Sequence, residues 1–170
     1  MPYTATHVLV SIILIELFRE YFVKSNNKFP RYYILIAAIA GVFSDFEYIF
    51  QFPDLHRAFL HSLFVPLIFL VVGLFIWKFD IKHAVVRGRH LKLSAIAFIF
   101  SGMTLVHIIL DSVLRDGAPL FYPFSDVWYG LSLVSLLPGG SSVWLIGIDT
   151  ALLFFWIFWM EFKLKVDDYF

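Results

Sequence analysis

The chain has no cysteine. Disulfides, iron–sulfur clusters and thiolate zinc sites are therefore excluded, and any bound metal must be held by nitrogen and oxygen. Charge is also scarce. Charged residues make up 15% of the 170 residues, against about a quarter in a soluble domain. The formal net charge is +0, so nothing here attracts nucleic acid. The first residues lack the basic, then apolar, then small pattern of a cleavable secretory signal, so the first apolar run is expected to stay in place as a transmembrane helix. The sequence has no internal repeat and no low-complexity segment. What it has in abundance is apolar surface: 61% hydrophobic residues, 20% aromatic, 21 of them Phe, and a mean hydropathy of +0.83. This is the composition of an integral membrane protein. Its length suits one all-α, membrane-embedded helical domain over residues 1–170.

A membrane helix needs about 20 largely apolar residues. Five stretches qualify: about Thr4–Val23, Tyr32–Phe50, Phe59–Phe79, Leu93–Leu114 and Val143–Phe162. The first carries Glu16, Arg19 and Glu20, spaced to face one another as a compensated charge cluster. The second carries Asp45 and Glu47 in its last turns. Pro53 ends it, and Pro66 is expected to kink the third. A basic loop from Lys78 to Lys92 joins the third and fourth. The Gly- and Pro-rich region from Arg115 to Ser142 reads as a long loop with a short interfacial or re-entrant helix over about Val127–Leu137.

Five spans fix an orientation. Lys24, Lys28, Arg31, Lys78, Lys82, Arg87, Arg89, Lys92, Lys163 and Lys165 fall on one side; the loops of the other side hold only Arg57 and Arg115. Lys/Arg excess marks the cytoplasm. The chain is thus expected to be a multi-pass protein of the plasma (inner) membrane, with its N-terminus outside and its C-terminus cytoplasmic. Trp128, Tyr129 and Trp144 would anchor its outer interface.

The same alternation carries the chemistry to the outer face. His7 opens the first span, Asp45 and Glu47 close the second, His56, Arg57 and His61 join the second to the third, and His107 and Asp111 lie near the outer end of the fourth. Each has an ordinary structural alternative. His107 and Asp111, four apart, share one helix face and could simply hydrogen-bond. Asp45 and Glu47, two apart, diverge by roughly 200° on a regular helix and converge only if the helix ends there. His56 and His61 straddle a loop, and His7 could touch headgroups. The conjunction outweighs these alternatives: random scatter would not place every histidine outside the basic loop, with both paired motifs, on one face.

The pattern resembles the YdjM-type family of membrane-bound, metal-dependent hydrolases, also described as LexA-binding inner-membrane-associated hydrolases. The resemblance rests on Thr6-His7, on Gly41-Val42-Phe43-Ser44-Asp45-Phe46-Glu47, on His56-Arg57-Ala58-Phe59-Leu60-His61-Ser62, on His107-Ile108-Ile109-Leu110-Asp111, and on Asp116-Gly117 followed by Tyr122-Pro123-Phe124-Ser125. Ser44 stands where the family has Pro, Glu47 replaces an Asp, Ala58 a Gly and Leu60 a Thr. The His/Asp pattern is also similar, more distantly, to zinc-dependent phospholipases C and P1-type nucleases. No residue here speaks for LexA binding.

Zinc accepts imidazole nitrogen and carboxylate oxygen. His7, Asp45, His56, His61, His107 and Asp111 exceed one tetrahedral shell, so one or two divalent ions, zinc by preference, are expected. Paired ions suit phosphoester hydrolysis. Asp45 and Glu47 are the expected catalytic carboxylates, with Glu47 a general base or a partner to a ligand. Arg57 is placed to bind an anionic substrate group. The expected function is a membrane-bound, metal-dependent hydrolase at the extracytoplasmic face, acting on a phosphoester in a membrane lipid or another small amphipathic molecule. The alternatives are a metal- or ion-binding transport protein and a non-enzymatic membrane scaffold.

Overall fold

The computed structural model describes residues 4–23, 29–49, 59–79, 84–86, 89–114, 117–138 and 141–164. The architecture is a helical bundle, as the composition requires. Helix α1 (Thr4–Phe18) continues through a wider π-helical turn at Arg19–Val23. Helix α2 (Tyr32–Gly41) is followed by a 3₁₀ turn, Phe43–Asp45, and by the one-turn α3 (Phe46–Ile49). Then come α4 (Phe64–Lys78), α5 (Leu93–Leu114) and α6 (Ser141–Leu164). Helix α5 is central, packing against α4, α2 and α1, while α6 lies mainly on α1.

The core is built from Ile15 of α1, Tyr33, Ala37 and Ala40 of α2, and Ile99 and Met103 of α5. Small residues on α2, Ala37, Ala40 and Gly41, let the helices come close. Gly41 is the extreme case. A Cβ there would lie 2.2 Å from Ser11 Oγ and 2.9 Å from the His7 carbonyl. The outer faces are apolar instead. Leu67, Val71, Leu74 and Phe75 on α4 are exposed, as are Phe154, Phe155 and Phe158 on α6. Two helices, Leu93–Leu114 and Ser142–Phe162, are long and apolar enough to cross a membrane.

Several expected boundaries move. Helix α2 ends at Gly41, not Phe50, because the backbone tightens into the 3₁₀ turn, with Asp45 N–H bonded to the Val42 carbonyl at 3.0 Å. Helix α4 starts at Phe64, not Phe59. Pro66 therefore sits in its first turn, where no N–H partner is lost, and needs no kink. The expected plain basic loop contains a two-stranded antiparallel hairpin, Ala84–Val86 with Arg89–Leu91, pairing Ala84 with Leu91. The short helix expected over Val127–Leu137 is reduced to a 3₁₀ turn at Leu133–Leu136. The residues before it are committed elsewhere. Ala118 and Tyr129 exchange backbone hydrogen bonds at 3.0 Å, and Leu131 N–H reaches the Ser112 carbonyl at 2.7 Å. Gly117, at φ 87°, makes the turn into this bridge, where a Cβ would lie 2.7 Å from the Tyr129 oxygen. The 117–138 segment is thereby fastened to the end of α5 that bears Asp111.

Candidate metal centre

Four elements meet at one end of the bundle. Helix α1 brings His7, the 3₁₀ turn brings Asp45, the turn before α4 brings His61, and α5 brings His107 and Asp111. His7, His61, His107 and Asp111 are each at most 2% exposed. The Asp45 side chain is 19% exposed and forms the open edge of the group.

The second atom of each central imidazole is fixed. His107 Nδ1–H donates to the Gly41 carbonyl at 2.7 Å. That carbonyl is free because Gly41 ends α2, where helix carbonyls lose their internal partners. His61 Nδ1–H donates to Glu47 Oε2 at 3.2 Å. Glu47 Oε1 accepts the Leu60 backbone N–H, so both its oxygens hold the His61 turn. With both Nδ1 atoms acting as donors, each ring in its neutral form turns its Nε2 lone pair to the centre. These two Nε2 atoms stand 3.3 Å apart.

Asp111 closes the group. Its Oδ2 lies 3.5 Å from His61 Nε2 and 3.6 Å from His107 Nε2. Neither oxygen has a hydrogen-bond partner among the described residues. A charge-assisted hydrogen bond would be about 2.7–2.9 Å, so the imidazoles surround the carboxylate without bonding it. Asp45 Oδ1 lies 3.6 Å from His107 Nε2 and 3.8 Å from His61 Nε2. His7 stacks on His107, ring centroids 3.8 Å apart, and its Nε2 is 3.5 Å from Asp111 Oδ1.

These separations fit a cation. A tetrahedral shell with bonds of about 2.0–2.2 Å has edges of about 3.3–3.6 Å. The triangle of His61 Nε2, His107 Nε2 and Asp111 Oδ2 has sides of 3.3, 3.5 and 3.6 Å. His7, Asp45 and His107 form a second, adjoining group whose candidate ligand atoms lie within 4.8 Å of one another. Electrostatics agree. Asp45, Glu47 and Asp111 crowd carboxylates into a largely buried space, which is costly without compensation. At the open edge, burial opposes the charged forms of Asp45 and His61. The facing His61 imidazole, with His107 and His7 beside it, nonetheless holds the Asp45 carboxyl below its ordinary range. Asp45, Glu47 and Asp111 likewise outweigh burial and raise His61. The seat between the rings attracts positive charge, whether proton or metal ion.

Of the residues expected from sequence, His7, Asp45, His61, His107 and Asp111 come together. Glu47 stands behind His61, away from the lone pairs. His56 and Arg57 lie outside the described residues. Sequence reasoning missed the Gly41 carbonyl, although the glycine opening Gly41-Val42-Phe43-Ser44-Asp45 was its signal. It also missed the pairing of Asp149 on α6 with the buried Thr6 hydroxyl, which donates to Asp149 Oδ1 one residue before His7.

A family model described as YdjM inner membrane protein matches residues 1–164. No curated protein and no solved structure matches the chain, so the more distant likeness to phospholipases C and P1-type nucleases gains no support. The chain belongs to the YdjM inner membrane protein family.

Proposed function

We propose that this inner membrane protein is a metal-dependent hydrolase acting on a phosphoester of a lipid or another amphipathic molecule. A zinc-type ion would be held by His61, His107 and Asp111, with Asp45 beside them. The observation that carries this reading is the confrontation of the two Nε2 atoms at 3.3 Å, with Nδ1 of each ring already engaged. Such an approach needs positive charge between the rings, a proton on His61 or a metal ion. The Asp111 carboxylate stands 3.5 and 3.6 Å from the same two atoms, the spacing of ligands around one ion.

A divalent ion here would supply Lewis acidity and lower the pKa of water toward neutrality. The protein's own residues do the positioning. The Gly41 carbonyl and Glu47 fix the two imidazole tautomers, the usual role of groups behind histidine ligands. That makes Glu47 a positioning residue rather than a base, since neither of its oxygens faces the centre. Asp45, the most exposed member, marks the side from which substrate arrives. His7 braces the outer oxygen of Asp111 and is a candidate ligand for a second ion sharing that carboxylate. Arg57 enters the proposal from its sequence position alone, as the residue to hold the phosphate.

The proposal includes five membrane spans, α1, α2, α4, α5 and α6, with this centre at the extracytoplasmic surface. The basic residues between α1 and α2 and between α4 and α5 support that orientation. The deciding experiment has two parts. Elemental analysis of purified, unstripped protein should find about one to two zinc or similar ions per chain, and His61→Ala and Asp111→Ala should lose them. Hydrolysis of a lipid-like chromogenic phosphodiester should follow the metal content across these variants. Wild-type protein free of metal and inert after zinc is restored would end the proposal.

A further inference from the structure

The 117–138 segment is fastened at the rim of the metal centre. Its Leu120 carbonyl accepts the N–H of Leu63, two residues past His61, at 3.0 Å, and its Leu131 N–H reaches the carbonyl of Ser112, the neighbour of Asp111. Its apolar side chains turn outward all the same. Phe124 is 82% exposed and Leu136 75%, and Phe121, Trp128 and Leu131 are exposed as well. Asp126 is the single charged residue between Gly117 and Pro138. An apolar patch of this extent marks a contact surface.

Its height in the membrane identifies what covers it. Helix α5 has 22 residues, about 33 Å of helix, against a hydrocarbon core of about 30 Å. Asp111 stands one turn short of its end, so with α5 set across the membrane Ser112 and the segment bonded to it lie at the edge of the hydrocarbon. Water is scarce at that level and backbone must find its own partners. This segment does so: Phe124 N–H bonds the Phe121 carbonyl at 2.8 Å, Ser135 N–H the Ser132 carbonyl at 3.0 Å, and Ala118 pairs with Tyr129. The patch also continues the outer face of α4. Phe124 packs on Phe64, ring centroids 5.4 Å apart, just ahead of the exposed Leu67 and Val71. Trp128 and Tyr129 are the residue types that favour the membrane interface. We propose that 117–138 is an immersed rim. Its apolar side chains lie among the acyl chains of the leaflet on the metal centre's side, and substrates reach the centre sideways, keeping their own chains in that leaflet. The rim needs only a chain that resides in a membrane; the sideways route rests on the hydrolase reading.

The absence of cysteine makes the rim directly testable, because a single introduced cysteine is the only thiol to label. Full-length Phe124→Cys, Leu136→Cys and Val71→Cys proteins carry a nitroxide in vesicles of phosphatidylethanolamine and phosphatidylglycerol, and spin relaxation is measured with oxygen and with a water-soluble nickel chelate. The labels at Phe124 and Leu136 should collide more with oxygen than with nickel, as the label at Val71 on α4 does. Labels dominated by nickel lie in water and overturn the rim. Labels shielded from both reagents lie against a protein partner or a second copy and overturn it too. If Phe124→Cys fails to fold, Leu136→Cys decides. The route is read from initial rates on a long-chain phosphodiester in the same vesicles and on its dibutyryl analogue in solution. Wild type should favour the long-chain ester, and combined Phe124→Ser and Leu136→Ser should shrink that preference. Equal rates, or a preference untouched by the paired substitution, overturn the route while the hydrolase reading stands. Hydrolysis of neither ester ends both, and the labels still decide the rim.

Discussion

Replacing Glu47 with glutamine changes one atom and tests the logic of the centre. Glu47 Oε1 accepts the Leu60 N–H and Oε2 accepts His61 Nδ1–H at 3.2 Å. In Glu47→Gln the amide oxygen keeps one of these bonds. If it stays with Leu60, the amide NH₂ faces His61 Nδ1, and two donors oppose each other. The ring escapes by moving its proton to Nε2, the atom 3.3 Å from His107 Nε2 and 3.5 Å from Asp111 Oδ2. The lone pair that the proposed metal would use is then gone. Loss of such a partner to a histidine ligand lowers metal affinity about 10- to 100-fold, which is about 1.4–2.7 kcal/mol. The measurement is a zinc titration against a competing chelator in detergent, with circular dichroism on the metal-free proteins to verify the fold. A general base would behave differently, losing turnover while keeping the metal. Zinc affinity within twofold of wild type, in a folded Glu47→Gln, would refute the tautomer argument.

Three other outcomes are expected. Gly41→Ala forces a Cβ to within 2.2 Å of Ser11 Oγ; overpacking of this kind costs about 1–3 kcal/mol, so the melting temperature should fall, and zinc affinity with it as the Gly41 carbonyl shifts from His107. Asp149→Ala removes the acceptor of the buried Thr6 hydroxyl, and thermal unfolding should show a loss of about 1–3 kcal/mol with zinc affinity nearly unchanged. The third is pH dependence. The raised pKa of His61 gives the metal-free protein stability that is full below the unfolded value of 6.5 and is lost as pH rises through the folded value. The lowered pKa of Asp45 adds stability above 3.8 that is lost as pH falls through its folded value. The metal-free form should therefore be helped most by this pair between those two values. Zinc must displace the His61 proton, so the rise in melting temperature on adding zinc should be larger at pH 8 than at pH 6.

Much of this arrangement was legible in the sequence, and the parts that were not have physical causes. The helical spans followed from apolar length, and α5 was read as Leu93–Leu114 because nothing inside it interrupts the pattern. The ends of α2 and α4 were misread because apolar composition continues past both, while the backbone leaves the helix for reasons hydropathy does not register. At α2 the cause is a close approach to Ser11 and His7 that only glycine allows. At α4 it is a proline that fits the first turn better than the middle. The His107 and Asp111 pair could be placed on one face by spacing alone. Asp45 and Glu47 could not, since on a continued helix they diverge. Only the 3₁₀ turn after Gly41 lets Asp45 join the lone pairs while Glu47 reaches behind His61. The same glycine therefore sets three things: how closely α1 and α2 pack, which carbonyl orients His107, and where the helix stops so that its two carboxylates can take different tasks. A motif written as a glycine four residues before an aspartate is, in this fold, a statement about a helix end, and the metal-type geometry depends on that end as much as on the ligands themselves.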